Sequence, residues 1–506
     1  MNQSVCSIFN EVLGPVMHGP SSSHTAAPCR IGNICSMLYG AHLKSAKVCF
    51  DPVSSYASTY KFHCTDRGFT AGLLGIPVND RRNLNAFEIA RERNISITFH
   101  VEPQENKHPN YACIKMDGDN GHLEIETLST GGGAFEIISV DGFAVSILGD
   151  SWFTLIKNPV YTPNEAHIHY VTSGTDQLCI IQTYTAPCSN IPDGERIYCC
   201  APVLPVPQLE HYELPFSDYK SALCYSGRNH LTCGELGLHY EIARSGKTEE
   251  EVLKMMYDIM DVMRQSVSDS LSRPEGSKMS GYYPYQTPHV QKTLSELPSC
   301  IESTAKIGLR AASVFEHTLS RELVVASPTG GSCGVLPAAV VCLGDDMGLS
   351  QKQIAMGMFA AGCVGVFISN QATFGCELAG CQAENGAASA MAAAGVADML
   401  RCDAKTAFDA ASLALQNTLG LICDPVACAY VPCVTRNSMA AVNAVSAASL
   451  ACGGYIVYIP LDETIDTMMQ VGQEMPLCHR CTGGGLNNTP SGQKLNKINS
   501  DYLNSL

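Results

Sequence analysis

The sequence predicts an α+β protein, with an N-terminal α/β domain followed by a C-terminal all-α domain that has a buried central helix. Ile95–Val101 and His122–Leu128 alternate apolar and polar residues, as half-buried strands do. After residue 248 the apolar residues follow a helical period, and Thr248 with Glu251 forms a capping-box pair at its start. Stretches rich in Ala, Gly and Met then alternate with short Gly/Pro loops, which is typical of closely packed helices.

The chain has 506 residues, too many for a single core, so two or three domains are expected. We predict an α/β domain over residues 1–140, a strand-rich insertion or linker over 141–212, and a helical domain over 213–506. The apolar run Ile354–Ile368 is about 15 residues long, which is shorter than a membrane span. Its Gly and Ala content favours a buried helix.

Charge and cysteine usage narrow the possible partners and the compartment. The net charge is -16 and no basic stripe is visible, which argues against nucleic-acid binding. The N-terminus has no basic segment followed by an apolar core, so we expect no signal peptide, no membrane association and a cytoplasmic location. In that reducing compartment, the 25 cysteines are expected to be free, catalytic or metal-bound.

The densest polar cluster is the segment "HGPSSSHTAAP", residues 18–28. It is a loop that opens a helix, where free backbone N–H groups favour an anion. Its hydroxyl groups could bind a carboxylate, and His24 is placed for proton transfer. The same pattern is also compatible with an N-capped loop and a solvated histidine. The hydroxyl residues are Ser21, Ser22, Ser23 and Thr25.

Two further loops carry polar or glycine-rich patterns. "KFHCTDRG" brings His63 and Asp66 together, although by itself it is typical of a turn with a surface ion pair. "ASPTGGSCGVLPA", residues 326–338, is a Gly-rich loop before a helix. It lacks the Lys of a P-loop and the spacing of a dinucleotide fingerprint, so a backbone anion cradle is the functional interpretation that is left.

Cys381, Cys423 and Cys433 each lie at the edge of a Gly/Pro loop beside an apolar helix. Thiolates at helix ends suit soft metal ions, and three ligands would leave one iron of a 4Fe-4S cluster open as a Lewis acid. Spacing alone favours the simpler interpretation of buried apolar cysteines. The pair "CHRC", Cys478 to Cys481, has the spacing of zinc and redox sites but no second pair at zinc-ribbon distance.

Taken in this order, the motifs resemble those of the bacterial iron-sulfur-dependent L-serine dehydratases. In the N-terminal half, "PSSSHT", "TDR" and "GGG" are similar to the family's first domain. In the C-terminal half, "SPTGGSCGVLPA", "GCQAE", "LGLICDPV", "VPCVTRN" and "GGLNNTP" are similar to its helical domain. The resemblance covers most of the chain except roughly residues 140–212.

The resemblance implies a lyase that removes water from L-serine, or a similar β-hydroxy amino acid, to give pyruvate and ammonia. It implies a 4Fe-4S cluster held by Cys381, Cys423 and Cys433, whereas Cys428 matches no family ligand. It also implies that His24 and His63 are catalytic and that the family members associate, so we expect a homodimer. The implied substrate-binding residues are Ser21, Ser22, Ser23, Thr25, Asp66, Thr329, Gly330 and Gly331.

One departure from the family pattern keeps the substrate open. The Asn of the family's "PTNG" is Gly330 here, which could alter a substrate contact. The alternatives are therefore a related iron-sulfur lyase acting on cysteine or another β-substituted acid, and a non-catalytic amino-acid sensor or structural protein. A pyridoxal-phosphate enzyme is disfavoured because the Gly-rich loops contain no lysine for a Schiff base.

Overall fold

The computed structural model describes residues 5–106, 108–161, 168–189, 191–279, 283–294, 296–427, 430–481 and 483–504, with side chains as far as 501. The chain divides into two compact units. The first contains Ser23–Tyr212 and the second contains Cys6–Ser22 and Glu213–Leu506. The predicted α+β class is confirmed, since strands dominate the first unit and helices the second.

Helices and strands are numbered separately, each in chain order. The helices are α1 (Ala27–Tyr39), α2 (Ser55–Thr59), α3 (Thr65–Leu73), α4 (Ala86–Glu92), α5 (Tyr219–Asn229), α6 (Cys233–Ser245), α7 (Glu249–Leu271), α8 (Thr287–Leu294), α9 (Ser299–Leu319), α10 (Cys342–Asp346), α11 (Gln351–Gln371), α12 (Cys376–Ala379), α13 (Ala387–Met399), α14 (Ala404–Gln416), α15 (Cys433–Cys452), α16 (Leu461–Glu474) and α17 (Pro490–Asn504). The strands are β1 (Val16–His18), β2 (Leu43–Phe50), β3 (Ser96–Val101), β4 (Tyr111–Gly118), β5 (Gly121–Gly131), β6 (Ala134–Val140), β7 (Phe143–Ile147), β8 (Trp152–Lys157), β9 (Ile168–Ser173), β10 (Asp176–Thr183), β11 (Arg196–Cys200), β12 (Lys278–Met279), β13 (Tyr283–Pro284) and β14 (Leu323–Val325).

The first unit contains two sheets that share one core. Six strands follow the order β3-β2-β4-β5-β6-β7, in which only β2 and β3 are parallel. Four antiparallel strands follow the order β11-β8-β10-β9. Helix α1 and residues of both sheets belong to the same buried apolar cluster.

The helix that carries the polar loop of this unit is held by close backbone packing. An added Cβ at Gly32 of α1 would lie 2.8 Å from the Cα of Gly72 in α3. Conversely, a Cβ at Gly72 would lie 2.1 Å from the carbonyl oxygen of Cys29. Glycine is therefore required at both positions, and this contact keeps α1, and the loop before it, against α3.

The second unit is built around helices with small side chains. Every residue of α13 is buried, and a Cβ at Gly395 would lie 2.7 Å from the carbonyl oxygen of Gly357 in α11. By length and composition α11 could cross a membrane, but 78% of its most apolar window is buried inside the protein. The predicted buried helix over Ile354–Ile368 lies inside α11.

An N-terminal segment belongs to the helical unit, which the sequence analysis did not predict. Strand β1 pairs with β14, and the carboxylate of Glu241 in α6 accepts hydrogen bonds from the Ser7 hydroxyl and the Ile8 N–H, both at 2.7 Å. Glu241 is fully buried. A buried carboxylate that accepts two hydrogen bonds fixes the start of the chain on this helix.

The predicted secondary structure elements agree with the structure in position. Ile95–Val101 and His122–Leu128 correspond to β3 and β5. Helix α7 begins after Thr248, whose side chain and that of Glu251 form the predicted capping box. Residues 141–212 contribute β7 and the whole four-stranded sheet. The domain limits 1–140, 141–212 and 213–506 stay a prediction.

Candidate functional site

Three thiols converge within the helical unit. The Sγ atoms of Cys376, Cys423 and Cys481 all lie within 4.8 Å of one another. Metal–thiolate bonds are about 2.3 Å long for zinc, so three sulfur atoms at this spacing can reach the same ion. We call Cys376, Cys423 and Cys481 the thiol triad.

The backbone brings two members of the triad together. The Cys423 N–H donates to the carbonyl of His479 at 2.8 Å, and the Cys481 N–H donates to the carbonyl of Cys423 at 2.9 Å. These bonds form a short parallel bridge between the loop after α14 and the loop after α16. Cys376 is the first residue of α12. The triad therefore depends on three segments that are distant in sequence.

The predicted ligands Cys381 and Cys433 are buried in the same unit but do not belong to the triad. The Cys381 Sγ accepts a hydrogen bond from the Asn385 amide at 3.1 Å. Cys433 is the first residue of α15. Cys381 has an electrostatic interaction with both Cys423 and Cys433. The structure therefore brings the three predicted ligands into one neighbourhood, with Cys423 shared between them and the triad.

The environment of these thiols opposes ionisation. Burial raises the pKa of Cys381 to about 11, and burial also raises the pKa of Cys433 well above its ordinary value. Contacts with Cys423 and Cys481, followed by burial, raise the pKa of Cys376. Metal ligation requires thiolates. A bound cation would therefore have to stabilise their negative charge, because the surrounding protein does not stabilise it. Soft sulfur donors of this kind fit zinc or an iron-sulfur group.

Two of these cysteines were missed by the sequence analysis. Cys481 belongs to the "CHRC" pair, but its partner Cys478 is exposed and lies outside the triad. Cys376 precedes Cys381 by five residues in "GCELAGC", a spacing that matches no motif by itself. Cys428 lies outside the described residues.

The Gly-rich loop around Thr329 is close-packed and its donors are engaged. The Gly330 N–H donates to the Ser22 hydroxyl at 3.1 Å, and the Gly331 N–H donates to the Thr329 hydroxyl at 3.1 Å. A Cβ at Gly330 would lie 2.9 Å from the Ser22 backbone nitrogen. The family's Asn would therefore collide at this position, and the close approach of Ser22 accounts for the glycine.

A half-buried carboxyl group, which the sequence analysis did not identify, joins this loop to Cys381. The Thr329 hydroxyl donates to the Glu384 carboxylate at 2.9 Å, and Glu384 lies three residues after Cys381. A Cβ at Gly331 would lie 2.7 Å from Glu384 Oε1. Burial raises the pKa of Glu384 to about 7, so this carboxyl can gain or lose a proton near neutral pH.

Asn437 joins the same loop to Cys433. Its amide Nδ2 donates to the carbonyls of Gly331 at 2.9 Å and Cys433 at 3.0 Å, and its Oδ1 accepts from the Gly334 N–H at 3.0 Å. The side chain is fully buried. It therefore fixes the distance between the Gly-rich loop and the start of α15.

An ion pair between half-buried Arg436 and buried Asp424 holds the Cys423 loop. Arg436 Nη2 lies 2.6 Å from Asp424 Oδ1, and its Nη1 donates to the carbonyl of Ile422 at 2.8 Å. Asp424 Oδ2 also accepts from the Leu486 N–H at 2.9 Å. The motifs "CDPV", "VPCVTRN" and "GGLNNTP" are thus joined by hydrogen bonds.

In the first unit, His24 is buried rather than solvated, being 6% exposed. Its Nδ1 lies 2.8 Å from the Ser23 hydroxyl and its Nε2 lies 2.9 Å from the Ser55 hydroxyl. Its ring packs edge-on against the rings of Tyr56 and His63. Hydroxyl groups can donate or accept, so they can accommodate either tautomer of a proton-transferring imidazole.

The other predicted residues of this loop are placed as follows. The Thr25 hydroxyl donates to the carbonyl of His63 at 2.5 Å. Asp66 lies in the first turn of α3, and its Oδ1 accepts from the Arg67 N–H at 2.7 Å. Ser22 belongs to the helical unit, whereas Ser23 belongs to the first unit. Ser21 is half-buried. Their predicted roles in substrate binding stay predictions.

A family model described as serine dehydratase alpha chain matches residues 228–487. This range includes the thiol triad, Cys381, Cys433 and the Gly-rich loop. The chain is also 33% identical over 293 residues to the probable L-serine dehydratase, alpha chain, of Bacillus subtilis, covering 56% of this chain and 94% of that protein. The chain belongs to the serine dehydratase alpha chain family.

The similarity extends to the first unit. The probable L-serine dehydratase, beta chain, of Bacillus subtilis is 41% identical over 144 residues, which cover 28% of this chain and 64% of that protein. The L-serine dehydratase of Helicobacter pylori is 27% identical over 512 aligned positions, covering 96% of this chain and 98% of that protein. The suspected family resemblance is therefore confirmed.

Replacing Asn437 with Ala tests whether this side chain holds the Gly-rich loop. The change leaves the Gly334 N–H and the Gly331 carbonyl without their partner, and each buried unsatisfied group costs about 1–3 kcal/mol. We expect urea denaturation to show a free energy of unfolding lower by at least about 2 kcal/mol. Ser449→Ala, at an exposed position of the same helix, is the control and should change stability by less than about 0.5 kcal/mol. Equal stability of both variants would contradict this role.

Proposed function

We propose that this protein is an iron-sulfur-dependent L-serine dehydratase that converts L-serine to pyruvate and ammonia. One observation carries the proposal: the segments carrying Cys381 and Cys433 are joined to the Gly-rich loop through Glu384 and Asn437, with the triad cysteines in the same unit. Such an arrangement places soft metal ligands beside a polar loop. The names of the relatives support serine as the substrate.

We propose Cys381, Cys423 and Cys433 as the ligands of a 4Fe-4S cluster. Their buried sulfur atoms are the donor type that iron-sulfur clusters require. In a 4Fe-4S cluster, each of these three cysteines would bind a different iron. The sulfur atoms of the thiol triad, in contrast, lie close enough together to bind the same ion. When bound, the cluster supplies an open iron that acts as a Lewis acid toward the substrate.

The chain's own residues would bind substrate and move the proton. The Ser22 hydroxyl accepts from Gly330 through its oxygen, so its hydrogen can be donated to a substrate carboxylate. We propose that Ser21, Ser23, Thr25, Asp66 and the Thr329–Gly331 loop also contribute to binding. His24 would accept the α-proton, with His63 beside it. Loss of hydroxide then gives aminoacrylate, which tautomerises and hydrolyses to pyruvate and ammonia.

The activity test uses anaerobically purified full-length protein with L-serine, L-threonine and L-cysteine as separate substrates. We expect pyruvate and ammonia in equal amounts from L-serine, with the highest kcat/KM of the three. A higher kcat/KM for L-cysteine would reassign the substrate. No turnover of any of them by protein that contains iron and sulfide would overturn the proposed function.

Single Cys→Ser variants distinguish the two possible ligand sets. Replacement of Cys381, Cys423 or Cys433 should remove the bound iron and sulfide together with the brown absorbance. Replacement of Cys376 or Cys481 should leave the cluster in place. Cys300→Ser, at an exposed position, is the matched control. Iron and sulfide analysis with electron paramagnetic resonance measures the outcome. Cluster loss in the Cys376 and Cys481 variants, with retention in the Cys381 and Cys433 variants, would assign the cluster to the triad.

His24→Ala tests the proposed base. Removing general catalysis should lower kcat by roughly 100-fold or more while the iron content stays unchanged. Exchange of the substrate α-proton with solvent, followed by nuclear magnetic resonance, should be lost as well. A rise in KM at unchanged kcat would instead assign His24 to substrate binding. Ser55→Ala, which removes the partner of Nε2, should have a smaller effect because the imidazole is retained.

We further propose that the protein is a cytoplasmic homodimer. The described cysteines are all free thiols, which supports a reducing compartment. The segment after α15 is apolar and exposed: Tyr455, Ile456 and Tyr458 have exposed fractions of 59%, 65% and 84%. Contiguous apolar surface of this kind is typical of protein interfaces.

Tyr458→Asp tests the dimer. A charge within an apolar interface should shift native mass spectra of micromolar protein from dimer toward monomer. Tyr161→Asp, at an exposed position of the first unit, is the matched control and should leave the dimer intact. A wild-type monomer under the same conditions would contradict the proposal, and a dimer that tolerates Tyr458→Asp would exclude this segment from the interface.

A further inference from the structure

A second pair of cysteines lies apart from the proposed cluster ligands. The Sγ atoms of Cys402 and Cys452 are 2.7 Å apart, only about 0.6 Å beyond a bonded S–S separation. Both residues are free thiols in the structure, and both are half-buried. Small reagents can therefore reach them, unlike the fully buried thiols of the helical core.

Both thiols are held by well-packed segments of the helical unit. Cys402 follows α13, whose residues are all buried, and its N–H donates to the carbonyl of Ala397 at 3.1 Å. Cys452 is the last residue of α15. Since α13 and α15 pack directly on each other, the short sulfur–sulfur distance belongs to the fold and not to a loose end of the chain.

We propose that Cys402 and Cys452 form a thiol–disulfide exchange site for low-molecular-weight disulfides. The thiolate of one cysteine attacks a sulfur of the small disulfide, and one small thiolate leaves. The second cysteine thiolate then attacks the protein-bound sulfur, forming the S–S bond and releasing the second small thiolate. The two protein thiols are oxidised, the small disulfide is reduced to two thiols, and the two protons pass to the released thiolates.

Either cysteine can make the first attack, because both side chains are half-buried and within reach of a small disulfide. The second step takes place within the protein. The 2.7 Å separation of the two Sγ atoms favours this step whichever cysteine reacts first.

The bond would close a loop that contains two of the proposed cluster ligands. Residues 402–452 include α14, Cys423 and the whole of α15 with Cys433 at its start. A cross-link between the ends of this segment would restrict its unfolded conformations. Oxidation of the pair would thereby stabilise the segment that carries two of the three proposed ligands, without using either ligand.

The test uses full-length protein, incubated anaerobically with oxidised glutathione, alkylated, and mapped by peptide mass spectrometry. We expect a 402–452 cross-linked peptide that carries two hydrogens fewer than the reduced pair. It should disappear after treatment with dithiothreitol. Exposed Cys300 serves as the internal control, because its mixed disulfide with glutathione shows that the oxidant was active.

Two variants separate the steps. Cys452→Ser should accumulate a mixed disulfide on Cys402, and Cys402→Ser should accumulate one on Cys452, because in each variant the thiol that resolves the mixed disulfide is absent. The oxidised wild type should also show a higher thermal midpoint than either oxidised variant. Absence of the 402–452 cross-link while Cys300 is modified would overturn the proposal, as would pairing of Cys402 with another cysteine. The wild-type mapping decides this even if a variant fails to fold.

Discussion

The geometry of the helical unit depends on two polar side chains, one buried and one half-buried, that join the Gly-rich loop to the cysteine segments. Glu384 accepts the Thr329 hydroxyl, and Asn437 bonds to Gly331, Gly334 and Cys433. A polar group shielded from water lowers the stability of the fold when it has no hydrogen-bond partner. Each group in this network therefore depends on its partners staying in place. The loop, Cys381 and Cys433 therefore form one connected polar network inside an otherwise apolar helical core.

Small residues make that network possible. Gly331 leaves room for the Glu384 carboxyl, and Gly330 leaves room for the backbone of Ser22. Similarly, Gly357 and Gly395 let α11 and α13 approach through their backbones. Larger side chains at these positions would push apart the elements that carry the thiols. The high Ala and Gly content of this unit is thus a packing requirement of its functional centre.

The thiol triad is a second set of candidate metal ligands in the helical unit. Cys423 lies beside Cys376 and Cys481 as well as near Cys381. Thiols that are buried and protonated are inert toward oxidation, but they become strong ligands once a cation displaces the protons. The thiol triad and the proposed cluster ligands can therefore bind soft metal ions, whereas the pair Cys402 and Cys452, with its two sulfur atoms 2.7 Å apart, is suited to covalent sulfur chemistry.

The sequence by itself determined the class, several individual elements and the family. Periodicity identifies β3, β5 and α7, and short continuous motifs identify the polar and Gly-rich loops, because both are local properties of the chain.

Only the tertiary structure decided which residues from distant segments meet. Cys376 and Cys481 join Cys423 through contacts between separate loops. Glu384 acquires its raised pKa from burial, and the N-terminal segment belongs to the helical unit because of the buried carboxylate of Glu241. Contacts of this kind follow from chain packing, and a periodicity or a motif contains no information about them.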